Sequence, residues 1–92
     1  MPTFLVERYW PGVTMERLLD ALERGRTQIE QMSSEGTLIR DISCTLILSE
    51  EVVFSIYEGP SASAIARLNK RAGIPVSRIV EVIVITDVQK AG

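Results

Sequence analysis

The 29 residues from Phe54 to Val82, FSIYEGPSASAIARLNKRAGIPVSRIVEV, leave this chain few folds to choose from, because they pack a strand, a helix and a second strand together with both helix ends marked. Gly59-Pro60-Ser61 breaks the strand Val52 to Glu58 and offers Ser61 as an N-cap. Gly73 supplies a left-handed stop, and Pro75 forbids continuation. Between those marks Ile65 and Leu68 are the inward positions. The residues that follow, Val76 to Thr86, are rich in β-branched types and read as a last strand.

The first half repeats the pattern. Thr3 to Tyr9 alternates in strand-forming residues and ends at the turn Trp10-Pro11-Gly12. Thr14 is an N-cap candidate for a long helix, with Glu16 where a carboxylate suits the positive end of the dipole. Met15, Leu18, Leu19, Leu22, Ile29 and Met32 follow the three-and-four spacing of one buried face; Gly25 is a weak point at mid-length, and Ser33 to Gly36 closes the helix. A strand from Leu38 to Leu48 places Leu38, Ile42, Cys44, Leu46 and Leu48 on one face, and Asp41, Ser43 and Thr45 with Ile39 and Ile47 on the other. Ser49-Glu50-Glu51 turns into the strand that precedes Gly59. The order strand, helix, strand, strand, helix, strand predicts a ferredoxin-like α+β fold, a four-stranded antiparallel sheet with both helices on one face. Periodicity does not give the order of strands in the sheet.

Ninety-two residues predict a single domain, 1–92, able to bury roughly 60 to 70% of its unfolded surface. Ten basic against twelve acidic residues argue against a nucleic-acid partner, which needs a clustered basic surface. Arg67, Lys70 and Arg71 read as the solvated side of a helix. The single Cys44 allows no internal disulfide, and with no histidine in the chain it lacks the usual activating base. The N-terminus is interrupted by charge too early for a signal peptide. No apolar run approaches the ~20 residues of a membrane span, so no membrane partner and a cytoplasmic location are expected. No phosphate loop, dinucleotide fingerprint or Cys/His cluster occurs, and no cofactor or metal is implied by motif.

With both helices on one side, the other face of the sheet must meet water, a ligand or another subunit. If Phe4, Val6, Phe54, Ile56, Val80, Val82 and Val84 point at the helices, the open face carries Leu5, Glu7, Tyr9, Val53, Ser55, Tyr57, Glu81, Ile83 and Ile85, joined by Asp41, Ser43 and Thr45. That mixture suits a homodimer that leaves a polar pocket for a small molecule. The ligand-binding candidates are Glu7, Tyr57 and Glu81, with Ser55 and Tyr9 at the margin. Three functions remain open. One is a binding or accessory protein without chemistry of its own. Another is a cofactorless enzyme of the dimeric α+β barrel kind, in which Glu7 or Glu81 moves a proton and Tyr57 or Tyr9 orients a carbonyl. The last is a metal-responsive protein using carboxylates. The plainer reading of Glu7 and Glu81 is structural: each pairs with an arginine, Arg8 or Arg78 being candidates, or is simply solvated.

The opening FLVERYWPGVT and the segment YEGPSASAIARLNKRAGIPVSRIVEV resemble a family of small ferredoxin-like bacterial proteins, some of them nickel-responsive or nickel-binding homodimers. The likeness runs from Phe4 to Val82, and its clearest marks are the Tyr57-Glu58-Gly59-Pro60-Ser61 turn and the Ala72-Gly73-Ile74-Pro75 stop. In the nickel-binding members histidines occur in the first strand and in both helices. The matching positions here hold Glu7, Leu22 and Asn69, with Ile74 where another histidine often follows the glycine. The resemblance therefore implies the fold and the dimer, without the imidazole set that suits nickel.

Overall fold

The computed structural model describes residues 1–86. Its elements are β1 (Thr3–Tyr9), α1 (Met15–Ser34), β2 (Arg40–Ile47), a 3-10 turn (Leu48–Glu50), β3 (Val52–Glu58), α2 (Ala62–Ala72) and β4 (Arg78–Val82). The sheet is antiparallel in the order β2-β3-β1-β4, and both helices pack on one face, which is the ferredoxin-like arrangement. Thr14 caps α1 by accepting from Arg17 N, and Ser61 caps α2 by accepting from Ala64 N. Gly73 ends α2 at φ 70°, the left-handed region a Cβ disfavours.

Three sequence expectations need correction. The last strand covers Arg78–Val82, not Val76 to Thr86. Its partner β1 begins at Thr3, which pairs with Val82, so Ile83 and Ile85 run past the ladder and are 89% and 75% exposed. On α1, Met15 and Leu19 are 58% and 57% exposed, while Ala21 and Gly25 are buried beside Leu18 and Met32. Gly25 thus packs against the segment that follows α2, where an added Cβ would touch Ile74 Cδ1 at 3.4 Å.

The third correction concerns which side of each strand faces the helices. Residues directly opposite in an antiparallel ladder share a face. Phe4 pairs with Tyr57, Val6 with Ser55 and Arg8 with Val53, and all six are buried. The inward set of β3 is therefore Val53, Ser55 and Tyr57, and Phe54 and Ile56 belong to the open face. On β4, Val80 and Val82 are open-face residues paired with Leu5 and Thr3, whereas Glu81 stands opposite Phe4 on the helix side. In β2 a register shift between Asp41 and Ser43 inserts Ile42, so Asp41, opposite Tyr57, faces the helix side with Cys44 and Leu46.

The core divides accordingly. Phe4, Val6, Ile39 and Tyr57 pack with Met32 of α1 and Ala64, Ile65 and Leu68 of α2. Val13, Leu18 and Val53 form a second cluster, and Ala21, Ala72 and Ile74 a third; half-buried Trp10 packs against both and so anchors its loop.

Candidate functional site

The five residues singled out from the sequence do not share one surface. Glu7 and Tyr9 lie on the open face, Ser55 and Tyr57 are buried under the helices, and Glu81 is exposed on the helix side of β4. Glu7 accepts from Arg78 Nε at 2.7 Å across the β1–β4 ladder, so the arginine that pairs with it is Arg78 and not Arg8. Tyr9 is mostly exposed, and its backbone N–H donates to Ser77 Oγ at 2.8 Å.

The open face reads as a grid. Its rows are Arg40, Glu58, Thr3 and Val82; then Ser43, Ile56, Leu5 and Val80; then Thr45, Phe54, Glu7 and Arg78; then Ile47, Val52 and Tyr9. Ion pairs occupy two opposite corners, Arg40–Glu58 at 2.8 Å and Glu7–Arg78. Between them Val80, Leu5, Ile56 and Phe54 make an apolar band. At the Thr3 end of this face lies a concavity of about 450 Å³, bordered by Thr3, Ile56, Glu58, Glu81, Val82 and Ile83 among others. Glu81 alone of the five sequence candidates borders it.

The densest polar chemistry is on the other side of the sheet. Arg8 shares the parity of Phe4 and Val6 and is completely buried. Nη1 donates to Asn69 Oδ1 at 2.7 Å and to the Pro75 carbonyl at 2.9 Å, and Nη2 donates to Tyr57 OH at 3.0 Å and Ser55 Oγ at 3.2 Å. All four acceptors are neutral. Among the described residues no carboxylate forms an ion pair with Arg8, and its Nε finds no hydrogen-bond partner. Asn69 is held in turn by its Nδ2 donating to Ile65 O at 2.8 Å. Cys44 Sγ lies 3.8 Å from Ser55 Oγ. Burial raises the Tyr57 phenol above its usual value against the opposing pull of Arg8, and burial likewise raises the Cys44 thiol. Asp41 is also raised by desolvation, with Arg8 and Arg26 pulling the other way. Cys44 is thus a poor nucleophile. The sequence reading missed Arg8 by treating it only as a partner for Glu7 or Glu81, although its place in the alternation of β1 was the available signal.

Residues 4–82 match the family described as nickel responsive protein SCO4226-like. The chain belongs to that family. Among solved structures, the crystal structure of SCO4226 from Streptomyces coelicolor A3(2) superposes with a TM-score of 0.76 at 23% identity, covering 90% of this chain and 98% of that one. At that identity the likeness establishes the fold. No curated protein sequence matches the chain. The SCO4226-like family name implies nickel, and the residues here do not fit it. The chain has no histidine, and among the described residues no group of three or more His, Cys, Asp or Glu is placed to hold a metal ion.

Proposed function

We propose that this SCO4226-like protein is a small homodimeric binding or accessory protein, in which two copies pair through their open sheet faces and a small ligand occupies the concavity at the end of that face. The apolar band of Val80, Leu5, Ile56 and Phe54 carries the reading, because a sheet face meant for water alternates toward Lys, Glu and Thr. Its charged groups are already neutralised within the chain by Glu7–Arg78 and Arg40–Glu58, so a second copy meets it without an unpaired charge. Four strands of about seven residues present a face about 19 by 23 Å. That footprint is about 440 Å², roughly half of the ~800 Å² per partner of a standard interface, and side-chain relief with the exposed Ile83 and Ile85 adds to it. A cytoplasmic setting suits the free Cys44 thiol.

Light scattering on the purified chain is expected to give twice the 10.2 kDa chain mass at micromolar concentration. Ile56→Lys is expected to return a folded monomer. A wild-type monomer at tens of micromolar, or an Ile56→Lys variant that remains dimeric, would end the reading. For the enzyme alternative, Glu7 and Tyr57 do not share a site, since Glu7 is ion-paired on one side of the sheet and Tyr57 lies buried on the other.

A further inference from the structure

We infer that the inner side of edge strand β2 is the mouth of a binding site for a small monocarboxylate, whose anchor is the buried Arg8 guanidinium with the Tyr57 hydroxyl. This goes beyond the dimer and its open face, because the site lies on the opposite side of the sheet.

A guanidinium offers five N–H donors and one full positive charge. Arg8 spends four donors on neutral acceptors, keeps Nε–H unspent, and has no ion-paired carboxylate among the described residues, although it is completely buried. A buried charge in that state is costly unless a counter-charge reaches it. Tyr57 adds a second unspent donor. Its oxygen accepts from Arg8 Nη2 at 3.0 Å, and its own proton has no acceptor among the described residues. Two unspent donors beside one cation are what a carboxylate, with two oxygens and one charge, would satisfy.

The approach is from β2. That strand is the sheet edge; on its inner side Cys44 and Leu46 pack against the cluster of Val13, Leu18 and Val53, whereas Asp41 is exposed, so the approach is at the Asp41 end. Going inward, the residues met are exposed Asp41 and half-buried Cys44, then Ser55 and Tyr57, then Arg8. The charges facing this mouth are Asp41, Arg8 and, from α1, Arg26, a net of one positive charge that matches a monoanion better than a phosphate. Asp41 at the entrance sets the affinity by repelling the incoming anion.

The test compares melting temperatures of the full chain in sodium butyrate, butyramide and sodium chloride at matched ionic strength. Butyrate is expected to raise the melting temperature by several degrees over both controls, saturably. Replacing Arg8 risks the fold, so the site is probed at its edges. Asp41→Asn should lower the half-saturating butyrate concentration several-fold, and Tyr57→Phe should raise it about tenfold through the lost donor. Butyrate should also slow alkylation of Cys44 by neutral iodoacetamide, which butyramide should not. A wild-type protein indifferent to butyrate, or a half-saturation unmoved by both substitutions, would overturn the site and leave the dimer proposal untouched.

Discussion

Asn69 is the residue through which the Arg8 cluster can be weighed. It is fully buried in α2, accepts from Arg8 Nη1 at 2.7 Å and donates to Ile65 O at 2.8 Å. Asn69→Ala removes a hydrogen bond to a charged group, worth about 1.5–3 kcal/mol, and leaves Nη1 with only the Pro75 carbonyl. The helix regains about 0.5 kcal/mol of propensity, so the net loss should be about 1–2.5 kcal/mol. For a chain of this size each kcal/mol is about 4–8 °C, and a fall in melting temperature near 10 °C is expected. Asn69→Asp separates electrostatics from packing. It forfeits the bond to Ile65 O but sets a carboxylate against a guanidinium that has none. Its folded pKa should fall below the ~3.9 of an unfolded aspartate, so the extra stability is present above that value and lost as pH drops through the folded pKa. At pH 7, Asn69→Asp should therefore exceed Asn69→Ala in stability, with the gap closing toward pH 2–3. Urea melts of both variants across that range are the assay. An aspartate variant weaker than the alanine variant at pH 7 would refute the picture of Arg8 as an uncompensated buried charge.

Asp41 runs the opposite way: burial raises its pKa, so its folded form favours the proton, and Asp41→Asn should stabilise the fold at pH 7 with the gain vanishing below about pH 4, as read by melts against pH. Ser61→Ala should cost ~1 kcal/mol in denaturant melts through the lost bond to Ala64 N, and Gly73→Val more, because φ there is 70°. In buried Gly59 an added Cβ meets Ile65 Cδ1 at 3.0 Å and Ile39 Cγ1 at 3.4 Å, so Gly59→Ala should cost about 1–2 kcal/mol by overpacking, a loss that Ile65→Val should partly restore.

Elements and caps were legible because their signals are local. Thr14, Ser61 and Gly73 act within four residues of themselves, and all three do in the structure what their chemistry implies. The faces of β3 and β4 were not legible, because alternation yields two sets per strand and only the ladder says which set is inward. Phe54 and Ile56 are more apolar than Ser55 and Tyr57, and an apolarity criterion sends them inside. The structure chooses the polar pair because Arg8 accompanies them and supplies their hydrogen bonds. In β2 the extra residue Ile42 reverses parity, a change that no periodicity within the strand announces. The candidate site inherited these inversions, so Glu7 and Tyr57 were placed together although they lie on opposite sides of the sheet.

The Arg8 guanidinium is bonded to residues 47, 49, 61 and 67 positions away along the chain. Contacts of that span form only after the intervening loops have closed, whereas α2 and the β2–β3 pairing are local enough to precede them. Until β3, α2 and the Pro75 turn are all in place, the arginine keeps its water, so its bonds belong to the last stage of assembly. Interactions absent from the transition state govern how fast a protein comes apart rather than how fast it forms. Arg8 is thus a latch on the finished fold: weakening it through Asn69→Ala should leave the refolding rate almost unchanged and appear nearly entirely as faster unfolding.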